Sequence, residues 1–294
     1  MKAAIIGGDR RMLYAAKAFC DSGAEVMIAG FGDSGTQWQL RTTDIRTAAA
    51  WADFSVLPVR PVSDGVLSCP LSEEKVTVRQ LAEQIGGKPV FCGNSASLEG
   101  FMNTDLYDYA AREDFAVKNA VLTAEGAIEI LLRESEDSLC AAEVLILGCG
   151  RIGKVLAHHM KALGAKVTVA ARKPSDRALT EASGCKAVDY SLKELYRYRM
   201  IINTVPAPVL SGENIDRLHR DAIVTDLASA PGGVDFDRAR DRGLKCIHAL
   251  GLPGKTAPKA AGRIIKETIT QMIKEENGGK DNSGLCDDRL LLHL

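Results

Sequence analysis

The stretch VLILGCGRIGKVLAHH, residues 144–159, constrains the fold of this chain more than any other. It joins a short apolar run to an amphipathic segment through glycines at 148, 150 and 153. A GxGxxG turn between a strand and a helix is typical of a dinucleotide-binding β-α-β unit. Gly148 allows the tight turn, Gly150 lets the backbone approach a pyrophosphate, and Gly153 lets helix and strand pack closely. The alternative, a tight turn that binds no ligand, has less support in this context.

The end of the next predicted strand indicates which nucleotide this turn holds. An NAD-binding unit carries Asp or Glu there, and the carboxylate binds the adenine ribose. Here the sequence reads Arg172-Lys173, and Asp176 follows only beyond Pro174. The planar guanidinium of arginine can bind a phosphate through two parallel hydrogen bonds. We therefore predict NADP rather than NAD, with a solvated Arg172 that binds nothing as the alternative.

The composition is that of an ordinary globular protein. Of the 294 residues, 46% are hydrophobic and 26% are charged, and the net charge is −1. A net charge this small gives no support for binding to nucleic acid or to an anionic membrane surface, and no run of about 18 apolar residues predicts a membrane span. The eight cysteines stand far apart and the five histidines lack ligand spacing. We therefore expect free thiols, no metal site and a cytoplasmic protein.

Short β-rich runs alternate with helical stretches in both halves of the chain. Such alternation implies right-handed crossovers and parallel sheets covered by helices on both faces. We predict an α/β fold with two doubly wound, Rossmann-like domains, parallel sheets and an interdomain cleft. The predicted strands are residues 3–6, 25–29, 54–58, 89–92, 144–147, 166–170, 186–188, 200–203, 223–227 and 245–249, and the predicted helices are residues 11–21, 44–51, 77–85, 116–133, 151–163 and 258–274.

The predicted domain boundaries follow from one connecting helix. Apolar residues recur every three or four positions over residues 116–133, which predicts a helix that joins the domains. We predict an N-terminal Rossmann-like substrate domain, residues 1–117, and an NADP-binding Rossmann domain, residues 118–257. By resemblance to two-domain dehydrogenases, residues 258–276 pack back on the first domain. Residues 277–294 are rich in Gly, Asn, Asp and Ser, which predicts a mobile tail.

Three loops follow the last strands of the second half, at residues 202–210, 225–235 and 247–262. Ligands of open α/β sheets bind beyond the carboxyl ends of the strands. We expect these loops to border the nicotinamide, with ordinary strand-to-helix turns as the alternative. The candidate cofactor-binding residues are Gly148, Gly150, Arg151, Ile152, Gly153, Arg172, Lys173, Asn203, Thr204, Val205, Pro206, Asp226 and Ala228.

Five residues are candidates for substrate binding or catalysis. Lys255 stands in a Gly- and Pro-rich loop that can bring an ammonium to a carboxylate, or it is a plain exposed lysine. His248 lies within a predicted strand and is either catalytic or a core histidine. Asn119 and Thr123 on the connecting helix are placed to face the interdomain cleft, and Ser229 lies in the loop after the fifth strand. The sequence does not identify the catalytic base.

The first half opens with its own glycine pair, Gly7-Gly8, after the first predicted strand. The pair lacks the full fingerprint, so we expect no second nucleotide site. Asp9, Arg10 and Arg11 begin the next helix. For these residues we favour an Asp helix cap with solvated arginines over a role in the cleft.

Several motifs together resemble one family, the A subunits of dipicolinate synthase from spore-forming bacteria. The resemblance extends over residues 1–275. The motifs are Ile5–Asp9, TAEGAIE at 123–129, LGCGRIGKVLA at 147–157, DLASAPGGVDF at 226–236 and ALGLPGKTAPKAAG at 249–262. The last three of these are fairly specific as a set, whereas the glycine turn alone is shared with many dehydrogenases.

The resemblance implies a function. The family oxidises dihydrodipicolinate, or its hydrated precursor from the lysine pathway, to pyridine-2,6-dicarboxylate (dipicolinate), together with a flavoprotein-like B subunit of dipicolinate synthase. By this resemblance, the functional residues of the family correspond to the glycine turn and to the loops at 203–206, 226–233 and 251–256. It further implies a small-molecule dicarboxylate substrate, an oligomer, and a place in the cytoplasm of the mother cell.

Two other functions stay open. One is a different NADP-dependent dehydrogenase, of the 2-hydroxyacid or shikimate type, which needs a catalytic His–carboxylate or Lys–Asp pair that the sequence does not identify. The other is a non-catalytic NADP-binding subunit that needs a partner. A Ser-His-Asp order and a nucleophile elbow do not occur, so a hydrolase has little support.

Overall fold

The computed structural model describes residues 1–33 and 38–281. The chain divides into two compact units, Met1–Lys118 with the segment from Ala257 onward, and Asn119–Thr256. Over the described ranges, no helix is both long and apolar enough to cross a membrane.

The first unit is built around a parallel sheet. Its elements are β1 (Lys2–Ile6), α1 (Arg10–Asp21), β2 (Glu25–Ala29), β3 (Arg41–Thr42), α2 (Ile45–Trp51), β4 (Phe54–Val56), β5 (Val62–Ser63), β6 (Val66–Leu67), α3 (Val78–Ile85), β7 (Val90–Cys92) and β8 (Leu106–Asp108). Six strands form the sheet in the order β3-β2-β1-β4-β7-β8. β5 and β6 form a separate antiparallel hairpin.

Burial on both faces of the sheet explains the sequence of its central strand. Residues Ala3–Ile6 of β1 are fully buried, as expected for a parallel strand with helices on both sides. α1 begins after Asp9, whose carboxylate accepts a hydrogen bond from the backbone N–H of Arg11. α3 begins with a capping box formed by Thr77 and Gln80. The helices therefore start where a capping side chain satisfies the free N–H groups.

The long helix α4 (Glu113–Glu134) leads into the second unit. The elements of that unit are β9 (Glu143–Leu147), α5 (Arg151–Ala162), β10 (Lys166–Ala170), α6 (Pro174–Ala182), β11 (Lys186–Val188), β12 (Met200–Asn203), α7 (Glu213–Asp216), β13 (Ile223–Asp226), α8 (Phe236–Asp241), β14 (Lys245–His248) and α9 (Leu252–Thr256). The strands form one parallel sheet in the order β11-β10-β9-β12-β13-β14. This is the strand order of dinucleotide-binding domains.

The strand order of the second sheet reverses between β9 and β12. These strands are neighbours, with Leu147 opposite Asn203. Ligands of open α/β sheets bind at this reversal, beyond the carboxyl ends of the strands. The glycine turn follows β9 at this position. The prediction of two doubly wound α/β domains with parallel sheets is confirmed.

Helix α10 (Pro258–Asp281) follows the second unit in the chain but belongs to the first. It packs on α1, and Gly262 allows the close approach, because a Cβ there would lie 2.5 Å from the carbonyl oxygen of Arg11. α10 includes residues 277–281, which were predicted as part of a mobile tail. A glycine inside a helix costs only about 1 kcal/mol relative to alanine, so the glycines there do not end α10. The rest of the predicted tail, residues 282–294, lies outside the described residues.

Several short elements were not predicted. They include β3, β8, the β5–β6 hairpin, α6 and α8. The segment Leu252–Thr256, predicted as a loop, forms α9. Gly126 on α4 allows α9 to approach, because a Cβ there would lie 2.9 Å from the Cβ of Leu252. Such short elements depend on packing of this kind more than on local sequence patterns.

Candidate nucleotide and substrate site

The glycine turn of the second unit has the geometry that a pyrophosphate requires. Gly148 has φ +105°, and a Cβ there would overlap the Thr204 hydroxyl. A Cβ at Gly153 would overlap the carbonyl oxygen of Gly148. At Gly150, by contrast, a Cβ would meet no atom of the described residues within 4 Å. Packing within the protein therefore requires glycine at positions 148 and 153, whereas Gly150 leaves open space beside the backbone.

Helix α5 presents its first turn to this open space. Gly150 is the N-cap and contributes no side-chain hydrogen bond, so the first N–H groups and the positive end of the helix dipole can act on an anion. Arg151 is exposed at the first position, and Ile152 is half-buried against the core. The residues present thus fit the pyrophosphate of a dinucleotide.

The loop after β12 is fastened to the end of β9. The backbone N–H and the hydroxyl of Thr204 both donate to the carbonyl oxygen of Leu147, at 2.9 and 2.8 Å. The Asn203 amide spans the next turn, with Nδ2 donating to the carbonyl of Val205 at 3.0 Å and Oδ1 accepting from its N–H at 3.1 Å. Pro206 is exposed beyond it. The structure therefore brings the predicted loop at 203–206 directly against the glycine turn.

The loop after β13 is organised by the buried carboxylate of Asp226. Its Oδ1 accepts from Nδ2 of Asn203 at 2.7 Å and from the N–H of Ala228 at 3.0 Å. Its Oδ2 accepts from the N–H of Gly233 at 3.0 Å. A Cβ at Gly233 would overlap Nδ2 of Asn203, so only glycine fits there. Ser229 is exposed at the tip of the loop.

The prediction that Asn203 and Asp226 bind the cofactor directly needs correction. Both side chains are fully buried. Their polar atoms form hydrogen bonds with each other and with neighbouring backbone groups. They lie at the ends of adjacent strands, where Asn203 pairs with Asp226 in the register. Their side chains hold the two loops that follow β12 and β13. Ala228 is also buried, so only its backbone can contribute.

The turn between β10 and α6 carries exposed positive charge. Arg172 and Lys173 are both exposed, and Lys173 caps α6 without a side-chain hydrogen bond. Arg177, to which no role was assigned from the sequence, donates from Nη1 to the carbonyl oxygens of Ala171 and Arg172 at 3.0 and 2.9 Å. The carboxylate nearest in sequence is that of Asp176, in the first turn of α6.

Tyr190, which follows β11, is half-buried against the core of the second unit. Burial raises the pKa of Tyr190, the nearby thiol of Cys149 raises it further, and the cation of Arg172 opposes the shift. Cys149 lies between the first two glycines of the turn. No sequence motif indicated Tyr190.

His248 and Lys255 line one groove of about 500 Å³. His248 is exposed at the end of β14, with Nε2 3.4 Å from the carbonyl oxygen of Ala228 and its ring 5.4 Å from that of Phe236. Its alternative interpretation as a core histidine is therefore wrong. Lys255 is exposed on α9. Glu129 and Arg133 of α4 also line the groove and form an ion pair.

Thr123 does not match its prediction. It is only 7% exposed, and its hydroxyl donates to the carbonyl oxygen of Asn119 within α4 at 2.9 Å. The hydroxyl is thus used by the helix itself. Asn119 is half-buried. Both residues lie more than one turn before Glu129, the first residue of α4 that lines the groove with Lys255.

The glycine pair of the first unit is covered by the chain. The N–H of Gly8 donates to the carbonyl oxygen of Ser68 at 2.7 Å. A Cβ at Gly7 would lie 3.0 Å from both Ser68 O and Cys69 Sγ. The segment that follows the β5–β6 hairpin thus occupies the space beside this turn. Asp9 caps α1, as the helix-cap interpretation predicts. Arg11 is not the solvated arginine of that interpretation, because its guanidinium pairs with Asp9 at 2.8 Å and its side chain is only 18% exposed.

The described residues contain no group of three or more His, Cys, Asp or Glu placed to hold a metal ion. The features described above are the glycine turn, the charged β10–α6 turn and the groove at Lys255. Comparison with known proteins identifies the family to which these features belong.

Two family descriptions match successive parts of the chain. Residues 2–117 match the N-terminal domain of the A subunit of dipicolinate synthase. Residues 118–223 match the NAD binding domain of D-isomer specific 2-hydroxyacid dehydrogenases. The second match includes the glycine turn and the β10–α6 turn, so it supports a nicotinamide dinucleotide as the ligand of this unit.

Whole-chain comparisons agree with the first match. The A subunit of dipicolinate synthase from Bacillus subtilis (strain 168) is 30% identical over 293 residues, which cover 94% of this chain and 96% of the relative. The crystal structure of the A subunit from Bacillus halodurans has a TM-score of 0.82 and 30% identity, covering 92% of this chain and 97% of the other. The crystal structure of the one from Bacillus subtilis has a TM-score of 0.80 and 27% identity, covering 95% and 97%. With its dinucleotide turn and dehydrogenase-type domain, this chain is an NAD(P)-dependent oxidoreductase that belongs to the family of dipicolinate synthase A subunits.

Proposed function

We propose that this chain oxidises dihydrodipicolinate, or its hydrated precursor, to dipicolinate with NADP as the hydride acceptor. The proposal depends chiefly on one observation. In a member of this family, the loops after β12 and β13 are fastened to each other and to the glycine turn. Loops held in this way can keep a ring substrate and a nicotinamide in a fixed relation, which is the main contribution that a protein makes to hydride transfer.

The charge of the β10–α6 turn supports NADP as the nucleotide. Arg172 and Lys173 are exposed at the place where an NAD-binding unit carries an acid. The first turn of α6, which has no side-chain cap, adds N–H groups that favour an anion. A 2′-phosphate would meet cations and N–H donors there. Pro174 occupies the first helical position, where its missing N–H removes no hydrogen bond within α6.

The groove at Lys255 supports a dicarboxylate as the substrate. Among the described residues that line this groove, Arg133 is paired with Glu129, whereas the ammonium of Lys255 takes part in no ion pair of the described chain. It can bind a substrate carboxylate through a charge-assisted hydrogen bond. We therefore propose Lys255 and Ser229 as the residues that contact the substrate, with Asn119 of α4 as a supporting residue.

The hydrated precursor first loses water to give the dihydro ring. Oxidation of the dihydro ring then removes a hydride and a proton and leaves an aromatic ring. Bound NADP supplies the hydride acceptor. The proton needs an acceptor on the protein, and the exposed imidazole of His248, in the same groove as Lys255, is the group we assign to it. Lys255 orients the ring by one carboxylate, and the fastened loops limit access of water.

The relatives are named as subunits, and we propose that a second, flavoprotein-like B subunit acts with this chain in an oligomer. By the same relation, the activity belongs to the cytoplasm of the mother cell in a sporulating bacterium. A chain that forms product only in the presence of the B subunit would fit the alternative of an NADP-binding subunit that needs its partner.

The direct test supplies dihydrodipicolinate from the lysine-pathway synthase, adds NADP, and follows dipicolinate by its ultraviolet absorbance, with and without the B subunit. Product above the uncatalysed background from this chain alone supports the function, product only with the B subunit fits the alternative of a subunit that needs its partner, and absence of product in both conditions rejects the function. Lys255→Ala should lower turnover while NADP binding stays nearly unchanged. Lys166→Ala is the matched control, since Lys166 is exposed at the opposite, amino end of β10. An unchanged rate in Lys255→Ala would reject the residue assignment alone.

A second candidate is a D-2-hydroxyacid dehydrogenase, which the match of residues 118–223 favours. Such an enzyme would reduce NADP or NAD with a 2-hydroxy acid in place of the dihydro ring. A panel of 2-hydroxy acids, assayed by the absorbance of the reduced nicotinamide, separates the two functions. Turnover of a 2-hydroxy acid without any dipicolinate formation would favour the second candidate.

A further inference from the structure

Arg177 has contacts that the proposed function does not use. Its side chain is half-buried, and one guanidinium nitrogen, Nη1, donates to two successive carbonyl oxygens, those of Ala171 and Arg172. These carbonyls lie directly after β10, in the turn that leads into α6. A single cation thus holds both peptide groups from the helix side of the turn.

This contact changes the electrostatics of the turn. A carbonyl oxygen is the negative end of its peptide group and repels a nearby anion. Because the carbonyl oxygens of Ala171 and Arg172 both accept from Arg177, they are directed at a cation. The charge that the turn presents to solvent comes from the exposed side chains of Arg172 and Lys173.

The same contact restrains the backbone of Arg172. The N–H of Ala171 donates to the carbonyl oxygen of Val188 at 3.0 Å, so one side of the turn is tied to β11. The Arg177 bonds tie the other side to α6. A side chain that must bind a phosphate loses less freedom on binding when its backbone is already held.

We propose that Arg177 is a positioning residue for nucleotide selectivity, because it holds the β10–α6 turn in the form that directs Arg172 at the 2′-phosphate of NADP. This inference rests on the proposed preference for NADP. NAD lacks that phosphate and gains little from Arg172. The effect of Arg177 should therefore appear in NADP binding and not in NAD binding.

The test is a double-mutant cycle read out by dissociation constants. NADP, NAD and the fragment adenosine 2′,5′-bisphosphate are titrated against wild type, Arg172→Ala, Arg177→Met and the double variant. Arg177→Met should weaken NADP and the bisphosphate about fivefold in the wild-type background, a typical size for coupled neighbours. In the Arg172→Ala background the same change should have less than about a twofold effect, because Arg177 acts through Arg172.

Two further variants separate positioning from charge and from folding. Arg177→Lys keeps the charge and part of the hydrogen bonding, so its NADP affinity should fall between those of wild type and Arg177→Met. Arg220→Met removes an arginine whose side chain is 87% exposed, just before β13. It should leave the dissociation constants of all three ligands unchanged. If Arg177→Met does not fold, Arg177→Lys and Arg177→Gln replace it in the double-mutant cycle.

The outcomes distinguish this inference from the proposed function. A wild type that binds NADP and NAD equally well would overturn both the proposed preference for NADP and the positioning role of Arg177. A wild-type preference for NADP that Arg177→Met leaves unchanged would overturn the positioning role alone. Equal losses for NADP and NAD would show a general structural role, and equal losses in both Arg172 backgrounds would show an independent contribution. Either result would overturn the inference as well.

Discussion

The amide of Asn203 donates a 2.7 Å hydrogen bond to the carboxylate of Asp226, although the two residues stand 23 positions apart in the chain. Both side chains are fully buried. The bond joins the ends of β12 and β13, and the remaining carboxylate oxygen holds Gly233 at the far end of the next loop. The shape of the site near the predicted nicotinamide position therefore depends on one buried polar pair.

Asp226→Asn should destabilise the protein. A carboxylate accepts all three hydrogen bonds, whereas an amide turns its NH₂ group toward at least one of the buried donors. An unsatisfied buried donor costs about 1–3 kcal/mol, so the free energy of unfolding in urea should fall by that amount. Asp241→Asn, at an exposed position at the end of α8, is the matched control. Equal unfolding midpoints for wild type and Asp226→Asn would contradict the role of the pair.

Two glycine variants should separate folding from nucleotide binding. Gly153→Ala places a Cβ against the carbonyl oxygen of Gly148, so we expect a lower Tm as well as weaker binding. Gly150→Ala places a Cβ in open space, so the Tm should stay within about 2 °C of wild type, a shift worth about 1 kcal/mol. Its dinucleotide affinity should fall at least tenfold, about 1.4 kcal/mol, because the Cβ occupies the approach to the pyrophosphate. Undiminished dinucleotide affinity in Gly150→Ala would place the ligand elsewhere.

Arg172→Ala should weaken NADP and spare NAD. Loss of a hydrogen bond to a charged group costs about 1.5–3 kcal/mol, which is at least tenfold in affinity. Calorimetric titration of both nucleotides measures the effect, and Lys166→Ala controls for the loss of a distant positive charge. Equal NADP affinity in wild type and Arg172→Ala would reject the assignment of the 2′-phosphate site.

Asp9→Asn should change how stability depends on pH. Burial raises the pKa of Asp9, and the hydrogen bonds and charge of Arg11 lower it by more, so the pKa lies below its ordinary value of 3.8. A carboxyl with a lowered pKa in the folded state stabilises the protein above the ordinary value, and this contribution is lost as the pH falls through the folded value. Asn caps a helix about as well as Asp, so the variant keeps the cap and removes the charge together with one of the two oxygens that accept from Arg11. The difference in unfolding free energy between the two proteins should therefore be present at pH 6, begin to fall as the pH approaches 3.8, and disappear only below the lowered pKa of the folded state. A difference that persists at pH 2 would contradict this account.

Much of the fold could be predicted from sequence because its strongest signals are local. The apolar strands at residues 25–29, 166–170 and 200–203 have the predicted bounds, and the glycine turn has the predicted backbone form. β3 consists of Arg41 and Thr42 alone, and both residues are exposed. A strand of two polar residues gives no periodicity, so it could not be predicted.

The site was harder to predict than the fold. A polar residue after a strand is easy to recognise, but whether its side chain faces a ligand or the interior depends on the neighbouring strand. Asp226 faces inward because Asn203 lies opposite it in the register. Thr123 faces a carbonyl of its own helix. Arg177 gained its role only from the path of the turn before it, which a linear sequence does not display.

Both sheets of this chain have the same strand order, counted along each unit without the hairpin, and each has a glycine turn after its central strand. In the first unit the N–H of Gly8 is already bonded to Ser68, so the backbone donor that a phosphate would need is taken by the protein. Topology alone would suggest two equivalents of dinucleotide per chain. The segment after the β5–β6 hairpin reduces the expected stoichiometry to one, a number that calorimetry or equilibrium dialysis can count without any assay of turnover.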